Sequence, residues 1–212
     1  MSEYHKIQTI YKRDMAHPHK LLIEGEWSRP EFEYLANNVW TFTEKVDGTN
    51  IRVSVAPGRA LVLGGRTDAA QLHAQLVARL NSIFLPQETQ LASMFTEGAV
   101  LYGEGYGAGI QKAGVNYRQD KDFVLFDVRV GKWWLNRADV ECVAVALGLD
   151  VVPVIGAGTL HDAVALAKAG IGSTWGDFEA EGIVARPRVE LQNRAGDRVI
   201  AKIKCRDFKG LA

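Results

Sequence analysis

Hydrophobic and polar positions alternate most clearly in Trp40-Thr41-Phe42-Thr43-Glu44-Lys45. Trp40 and Phe42 fall on one side, Thr41, Thr43 and Lys45 on the other, as on a half-buried strand. Asp47-Gly48 reads as a turn. Ile51, Val53 and Val55 then mark the apolar side of a second strand, whose other side carries Asn50, Arg52 and Ser54. A third strand is expected over residues 60–63, ahead of Gly64-Gly65-Arg66-Thr67. The spacing then becomes helical, because Leu72, Leu76, Val77, Leu80 and Phe84 share one face of a helix over residues 70–84. Strands are predicted at 99–102 and 123–130, and a helix at 136–147 with Asn136 as cap and Gly148 as stop. Beyond it come a strand at 151–155, a helix at 160–169, and strands near 182–186, 189–192 and 198–204. At the start of the chain, Ile7, Ile10 and Tyr11 predict a short helix over residues 6–14, ended by His17-Pro18-His19.

These elements imply a mixed α+β fold, two sheets with helices packed outside, in a single domain over residues 1–212. There is no internal repeat or low-complexity tract. Twenty-five basic and 25 acidic side chains cancel, so net charge does not announce a nucleic-acid partner. From Arg186 to Ala212, however, eight Lys or Arg stand against three Asp or Glu. Cys142 and Cys205 lack metal-ligand spacing, which fits a reducing compartment. Nothing in the first residues resembles a signal peptide and no run is long enough for a membrane span, so a soluble, cytoplasmic protein is expected.

The candidate chemistry is distributed along the chain. Lys45-Val46-Asp47-Gly48 presents an amine at a strand end, and such an amine is a nucleophile only when burial, cations or a metal favour its neutral form. Alone, the tetrapeptide also fits a hairpin with a surface lysine, and Asn50 with Arg52 fits a polar strand edge. The glycines flanking Glu104 would let a backbone or ligand approach its carboxylate. The loose Gly103-x-Gly105-x-x-Ala108 dinucleotide pattern fails, because no helix follows to receive a pyrophosphate. Phe126-Asp127 sets an acid inside an apolar strand, where it needs a partner or a metal. Glu181-Gly182-Ile183-Val184 repeats that theme. Lys202 and Lys204 share one strand face, a repulsive pair unless an anion lies between them or the strand is an exposed edge.

In this order, Lys45-Val46-Asp47-Gly48, Arg66, Glu104, Phe126-Asp127, Glu181-Gly182-Ile183-Val184 and Lys202-Ile203-Lys204 resemble the motifs of the covalent nucleotidyltransferases: DNA ligases, RNA ligases and mRNA capping enzymes. The likeness covers about three-quarters of the chain. Thr49-Asn50 after the glycine is most similar to the RNA ligase 2 type. The resemblance implies the nucleotidyltransferase fold, ATP-grasp-like, with antiparallel sheets and flanking helices. It also implies an ATP-dependent RNA ligase acting through lysyl-AMP and an adenylylated 5′ end, in RNA repair, with nicks in duplexes as one substrate. A minimal DNA ligase and an inactive nucleotide- or RNA-binding module are the alternatives. By the same resemblance Lys45 takes AMP, and Lys202 and Lys204 contact the α-phosphate and help keep Lys45 unprotonated. Glu181 faces Mg²⁺ or Mn²⁺, with Asp127 supporting the metal or orienting Lys45. Phe126 stacks on adenine, Arg66 and Glu104 hold the ribose and nearby phosphate, and Asn50 and Arg52 line the pocket. Backbone groups of Glu44 and Val46 read the adenine edge. The sequence stops eight residues after Lys204, where related enzymes carry an OB or helical domain. The resemblance therefore implies no OB domain, with RNA (a nicked duplex or RNA–DNA hybrid) as partner and a second protein as aid to its engagement.

Overall fold

A computed structural model describes residues 3–17 and 21–209. The strands among them are β1 (Gln8–Thr9), β2 (Tyr11–Arg13), β3 (Leu22–Trp27), β4 (Trp40–Glu44), β5 (Thr49–Val55), β6 (Val62–Gly64), β7 (Ala99–Gly107), β8 (Lys121–Val130), β9 (Trp133–Trp134), β10 (Asp150–Val151), β11 (Val154–Gly158), β12 (Gly182–Pro187) and β13 (Ala201–Lys204). The α-helices are α1 (Pro30–Tyr34), α2 (Ala74–Phe84), α3 (Glu88–Met94), α4 (Gly114–Tyr117), α5 (Arg137–Leu147) and α6 (Leu160–Ala169). This is the mixed α+β class expected, with sheets that are antiparallel apart from the pairs β1–β13 and β8–β10.

The chain divides into two compact units. The first takes in the N-terminal residues through Tyr4 together with Asp47–Val152. Its sheet runs β10-β8-β7-β5-β6, with β9 paired to β8. Ile51, Val53, Leu101, Leu125 and Val128 turn one sheet face toward Leu76, Leu80 and Phe84 of α2 and Val140, Val143 and Leu147 of α5. Strand alternation leaves Asn50, Arg52, Ser54 and Glu104 for the other face. Asn136 caps α5 by accepting from Asp139 N–H at 3.0 Å, and Gly148 ends it in the left-handed region, at φ 61°. The helix α2 starts four residues later than its periodicity predicted, where the His73 ring accepts from Gln75 N–H.

The second unit comprises His5–Val46 and Pro153–Ala212, and its sheet runs β1-β13-β12-β4-β11. Trp40, Phe42, Ile183, Ala185, Ala201 and Ile203 bury one face beneath Leu160, Ala163, Val164 and Ala167 of α6. Thr159 and Asp162 close a capping box at the start of that helix.

Four expectations are corrected. Residues 6–14 form β1 and β2 rather than a helix. Ile10 and Tyr11 are buried in the second core, and the Ile10 backbone is satisfied by sheet-type bonds, its N–H donating to Lys202 O and its carbonyl accepting from Ser28 N–H. Tertiary pairing outweighs a short helical pattern here. His17 is among the described residues; Pro18 and His19 lie outside them. Second, Asp47-Gly48 closes no hairpin, since β4 and β5 belong to different sheets. Gly48 is required for another reason: a Cβ there would stand 2.3 Å from the Gly105 carbonyl oxygen. Third, the strand at 151–155 breaks at Pro153, which has no N–H for a ladder, so β10 pairs with β8 and β11 with β4. Fourth, residues 189–192 form no strand; Gln192 makes an isolated bridge to Arg198 and Val189 is exposed.

Candidate active site

In the second unit, β4, β12 and β13 lie side by side, with Glu44 opposite Ile183, Gly182 opposite Lys204, and Val184 opposite Lys202. This register brings three predicted residues together at the strand ends. Glu181 Oε2 lies 2.7 Å from Lys45 Nζ, and its Oε1 lies 2.5 Å from Lys204 Nζ. The Lys45 backbone N–H donates to Gly182 O at 2.9 Å, which fixes the lysine at the strand end. Gly182 has φ 153°, and a Cβ there would meet the Ile203 carbonyl oxygen at 2.1 Å, so only glycine follows Glu181 at this crossing of strands.

Burial raises the Glu181 pKa, but the Lys45 and Lys204 ammoniums outweigh it and hold the carboxyl below its ordinary value. The same contact places a carboxylate 2.7 Å from the Lys45 amine, a partner that an attacking lysine has to leave. The lysine whose charged form is penalised is Lys202. Its pKa is pushed down to about 8 by burial first, then by Lys204, Lys45, Lys6 and Arg13. Lys6 and Arg13 were not singled out in the sequence, because β1 and β2 had been read as a helix. For Lys202, with a folded value near 8 and an ordinary value of 10.5, the charged form is disfavoured in the folded state. Lys202→Met is therefore expected to stabilise the chain by about 1–3 kcal/mol near pH 7. That gain should shrink between pH 8 and 10.5 in urea titrations. A gain that does not vary with pH would instead reflect packing of the methionine.

The Glu44 side chain is 1% exposed and turned away from any open surface. Its carboxylate accepts from the Ser173 hydroxyl (2.6 Å), the Thr174 N–H (2.8 Å) and the Thr174 hydroxyl (2.8 Å), tying the segment after α6 to the end of β4, just before Lys45. Its backbone N–H is committed to Pro153 O at 3.0 Å. Val46 is buried beside it. Ser173 and Thr174 left no signal in the sequence, since two hydroxyl residues in a loop are unremarkable without the buried acid they serve.

In the first unit, Asn50 and Glu104 are register partners on β5 and β7. The Asn50 Oδ1 is buried with no hydrogen-bond partner among the described residues, an acceptor that a ligand donor would satisfy. The glycines around Glu104 serve packing on the opposite face rather than access to the carboxylate. A Cβ on Gly103 would meet the Phe123 ring at 2.2 Å, and one on Gly105 would meet Leu76 at 2.6 Å. Arg52 is wholly buried; its Nε donates to Gly65 O (2.5 Å) and its Nη2 to Asp68 (2.8 Å). It thus braces the loop that carries the exposed Arg66.

Phe126 sits at a β-bulge, because Tyr102 opposes Asp127 while Gly103 opposes Leu125. The extra residue is re-aimed out of the ladder. Asp127 is fully buried and accepts from the Tyr4 hydroxyl at 2.5 Å. The Tyr4 ring packs 5.1 Å from Phe126, 5.0 Å from Tyr102 and 5.7 Å from Trp134. Tyr4 escaped the sequence reading because its partner lies 123 residues away.

Among the described residues no three Asp, Glu, His or Cys side chains are grouped as a metal cage. Glu181 is a hard oxygen donor next to phosphate-suited lysines, which fits a divalent cation held by one carboxylate, phosphate oxygens and water. No helix among the described residues is long and apolar enough to cross a membrane.

The fold is that of a nucleotidyltransferase-type ligase domain. The family model for RNA ligase matches residues 38–204, and the chain belongs to that family. Its fold is similar to that of Naegleria gruberi RNA ligase. An apo variant of that ligase superposes with TM-score 0.65 at 18% identity, covering 86% of this chain and 54% of the other. A variant with ATP and Mn gives 0.64 at 17% identity, covering 82% and 52%. The ligase with PPi gives 0.64 at 19% identity, with the same coverage. The chain thus spans about half the length of these ligases. No curated protein matches it significantly.

Proposed function

We propose that the chain joins RNA ends with ATP. Lys45 Nζ attacks the α-phosphorus, a P–N bond forms as the bond to the pyrophosphate oxygen breaks, and lysyl-AMP results. AMP then passes to a 5′-phosphate, and a 3′-hydroxyl attacks that activated end and releases AMP. The observation that carries this reading is the Lys45–Glu181–Lys204 constellation, with Lys202 next to it and depressed to about 8. Lys202 and Lys204 neutralise phosphate charge as it develops, the main task in phosphoryl transfer. They also favour loss of the proton that the Glu181 pair holds on Lys45.

Glu181 would hold Mg²⁺ or Mn²⁺, which would supply further charge neutralisation at the phosphates. Phe126 stacks on adenine, Asn50 and Glu104 bond the nucleoside, and Arg66 contacts phosphate from the loop that Arg52 braces. Asp127 acts through Tyr4, which fixes the setting of Phe126. Glu44, clamped by Ser173 and Thr174, sets the backbone that presents Val46 and Lys45 to the nucleotide. The Naegleria ligase of the same fold has been captured with ATP and Mn, which supports nucleotide and metal choice.

The test is incubation of the purified chain with labelled ATP and a divalent cation, in competition with the other three nucleoside triphosphates. The expected result is an acid-labile, alkali-stable covalent adenylate, followed by sealing of a nick with RNA on the 3′-hydroxyl side. No label from any nucleotide would overturn the enzymatic reading. Sealing confined to all-DNA nicks would overturn the choice of RNA.

A further inference from the structure

The first unit carries a groove that none of this chemistry uses. It lies at the end of the sheet where β5 finishes and β7 begins, with a volume of about 450 Å³, within the roughly 300–1,000 Å³ usual for ligand sites. Its floor follows from strand register. Ser54, Val100 and Arg129 are successive partners across β5, β7 and β8, so their side chains share one face. Arg59 enters from the turn after β5, where its N–H donates to Ala56 O at 3.1 Å. Glu97 is the one acid in the lining, beside Arg59 and Arg129.

Two further observations point to a ligand with anionic oxygens. The Arg129 guanidinium lies 5.7 Å from the Trp134 ring centroid, and stacking of that kind holds the cation in place. The Ser54 Oγ, on the groove floor, is buried and has no hydrogen-bond partner among the described residues. A buried hydroxyl without a partner is unusual enough to imply a missing one. Guanidinium groups and a hydroxyl donor match a phosphate, and the apolar Val62 and Val100, register partners of Ser54 on the same face, suit the sugar or base attached to it.

We infer that this groove binds a backbone phosphate of the RNA substrate, away from the reacting ends. The inference rests on the RNA-joining reading. An enzyme that holds strand ends draws most of its affinity from phosphates at a distance from the chemistry, and an open groove admits a continuing strand. The same chemistry would accept a phosphate on a free nucleotide, so the test separates the two sources.

The experiment measures binding of 5′-phosphorylated RNA oligonucleotides of increasing length to the full chain, by fluorescence anisotropy across a salt series. Arg59→Glu and Ser54→Val are compared with the parent, together with covalent labelling by ATP. Affinity should rise with RNA length. Arg59→Glu should weaken binding of long RNA about tenfold and lower the slope of log K against log salt by about 1. Ser54→Val should weaken it about threefold. Labelling by ATP should be unchanged in both. Unaltered affinity and salt slope in Arg59→Glu would overturn the groove. So would an affinity independent of length and matched by AMP or inorganic phosphate, which would identify a small-anion site. Absence of covalent label in the parent would sink the ligase reading instead, and the length and salt dependence would still decide the groove.

Discussion

Lys45→Ala is expected to lose covalent labelling from ATP by at least about 10⁴-fold, because no other group can replace the nucleophile of a covalent mechanism. The variant should remain folded. Glu181 keeps Lys204 as a partner at 2.5 Å, and the β4–β12 pairing does not depend on the lysine side chain. It should also seal RNA whose 5′ end already carries AMP, since lysine attack is bypassed there. The competing candidate is Lys202, whose pKa is pushed down to about 8 by burial and neighbouring cations. Label retained in Lys45→Ala, mapped by peptide digestion to Lys202, would sink the assignment. The ion pair to Glu181 makes this a real contest, because the lysine named by the motif is the one bound to a carboxylate at 2.7 Å.

Much of the site's first layer was legible because strand parity is a strong constraint. Lys202 and Lys204 on one face of β13, and Ile203 on the other, follow from alternation alone, and the core beneath Ile203 agrees. Glu181 was singled out because an acid at the mouth of an apolar strand needs partners, which proved to be Lys45 and Lys204. The helices α5 and α6 were legible from caps as well as periodicity, and α6 has the predicted bounds.

What escaped depends on pairings between distant residues. No local rule connects Tyr4 to Asp127, or Ser173 and Thr174 to Glu44, so the sequence shows that Asp127 needs a partner without showing which. The β-bulge at Phe126 was invisible for a similar reason, since it exists only relative to β7. The segment containing Ile7, Ile10 and Tyr11 misled because three apolar positions fit a helix turn and two short strands equally well. Only the edge of β13 and the β3 partner decide between them. Likewise Asp47-Gly48 carries a hairpin's composition but serves a close approach to Gly105.

Glu181→Gln should produce the other large effect, on both stability and chemistry. Glutamine preserves the shape of the side chain but removes the charge that Lys45 and Lys204 share. Breaking a largely buried pair of this kind is expected to remove about 2–4 kcal/mol of stability at neutral pH. Adenylation should fall about 10²–10³-fold, the range for loss of a group that organises charge around a reacting phosphate. The pH dependence separates charge from packing. The Glu181 carboxyl is held below its ordinary value of 4.5 in the folded chain, so its contribution is complete above about pH 4.5 and is lost as pH falls through the folded value. The stability gap between parent and Glu181→Gln, read from urea midpoints, should therefore be constant near neutrality and close progressively below pH 4.5. A gap that persists unchanged into acid would assign the loss to packing. Unchanged adenylation in the variant would remove Glu181 from the catalytic machinery and leave its two lysines as the charges that act on the phosphate.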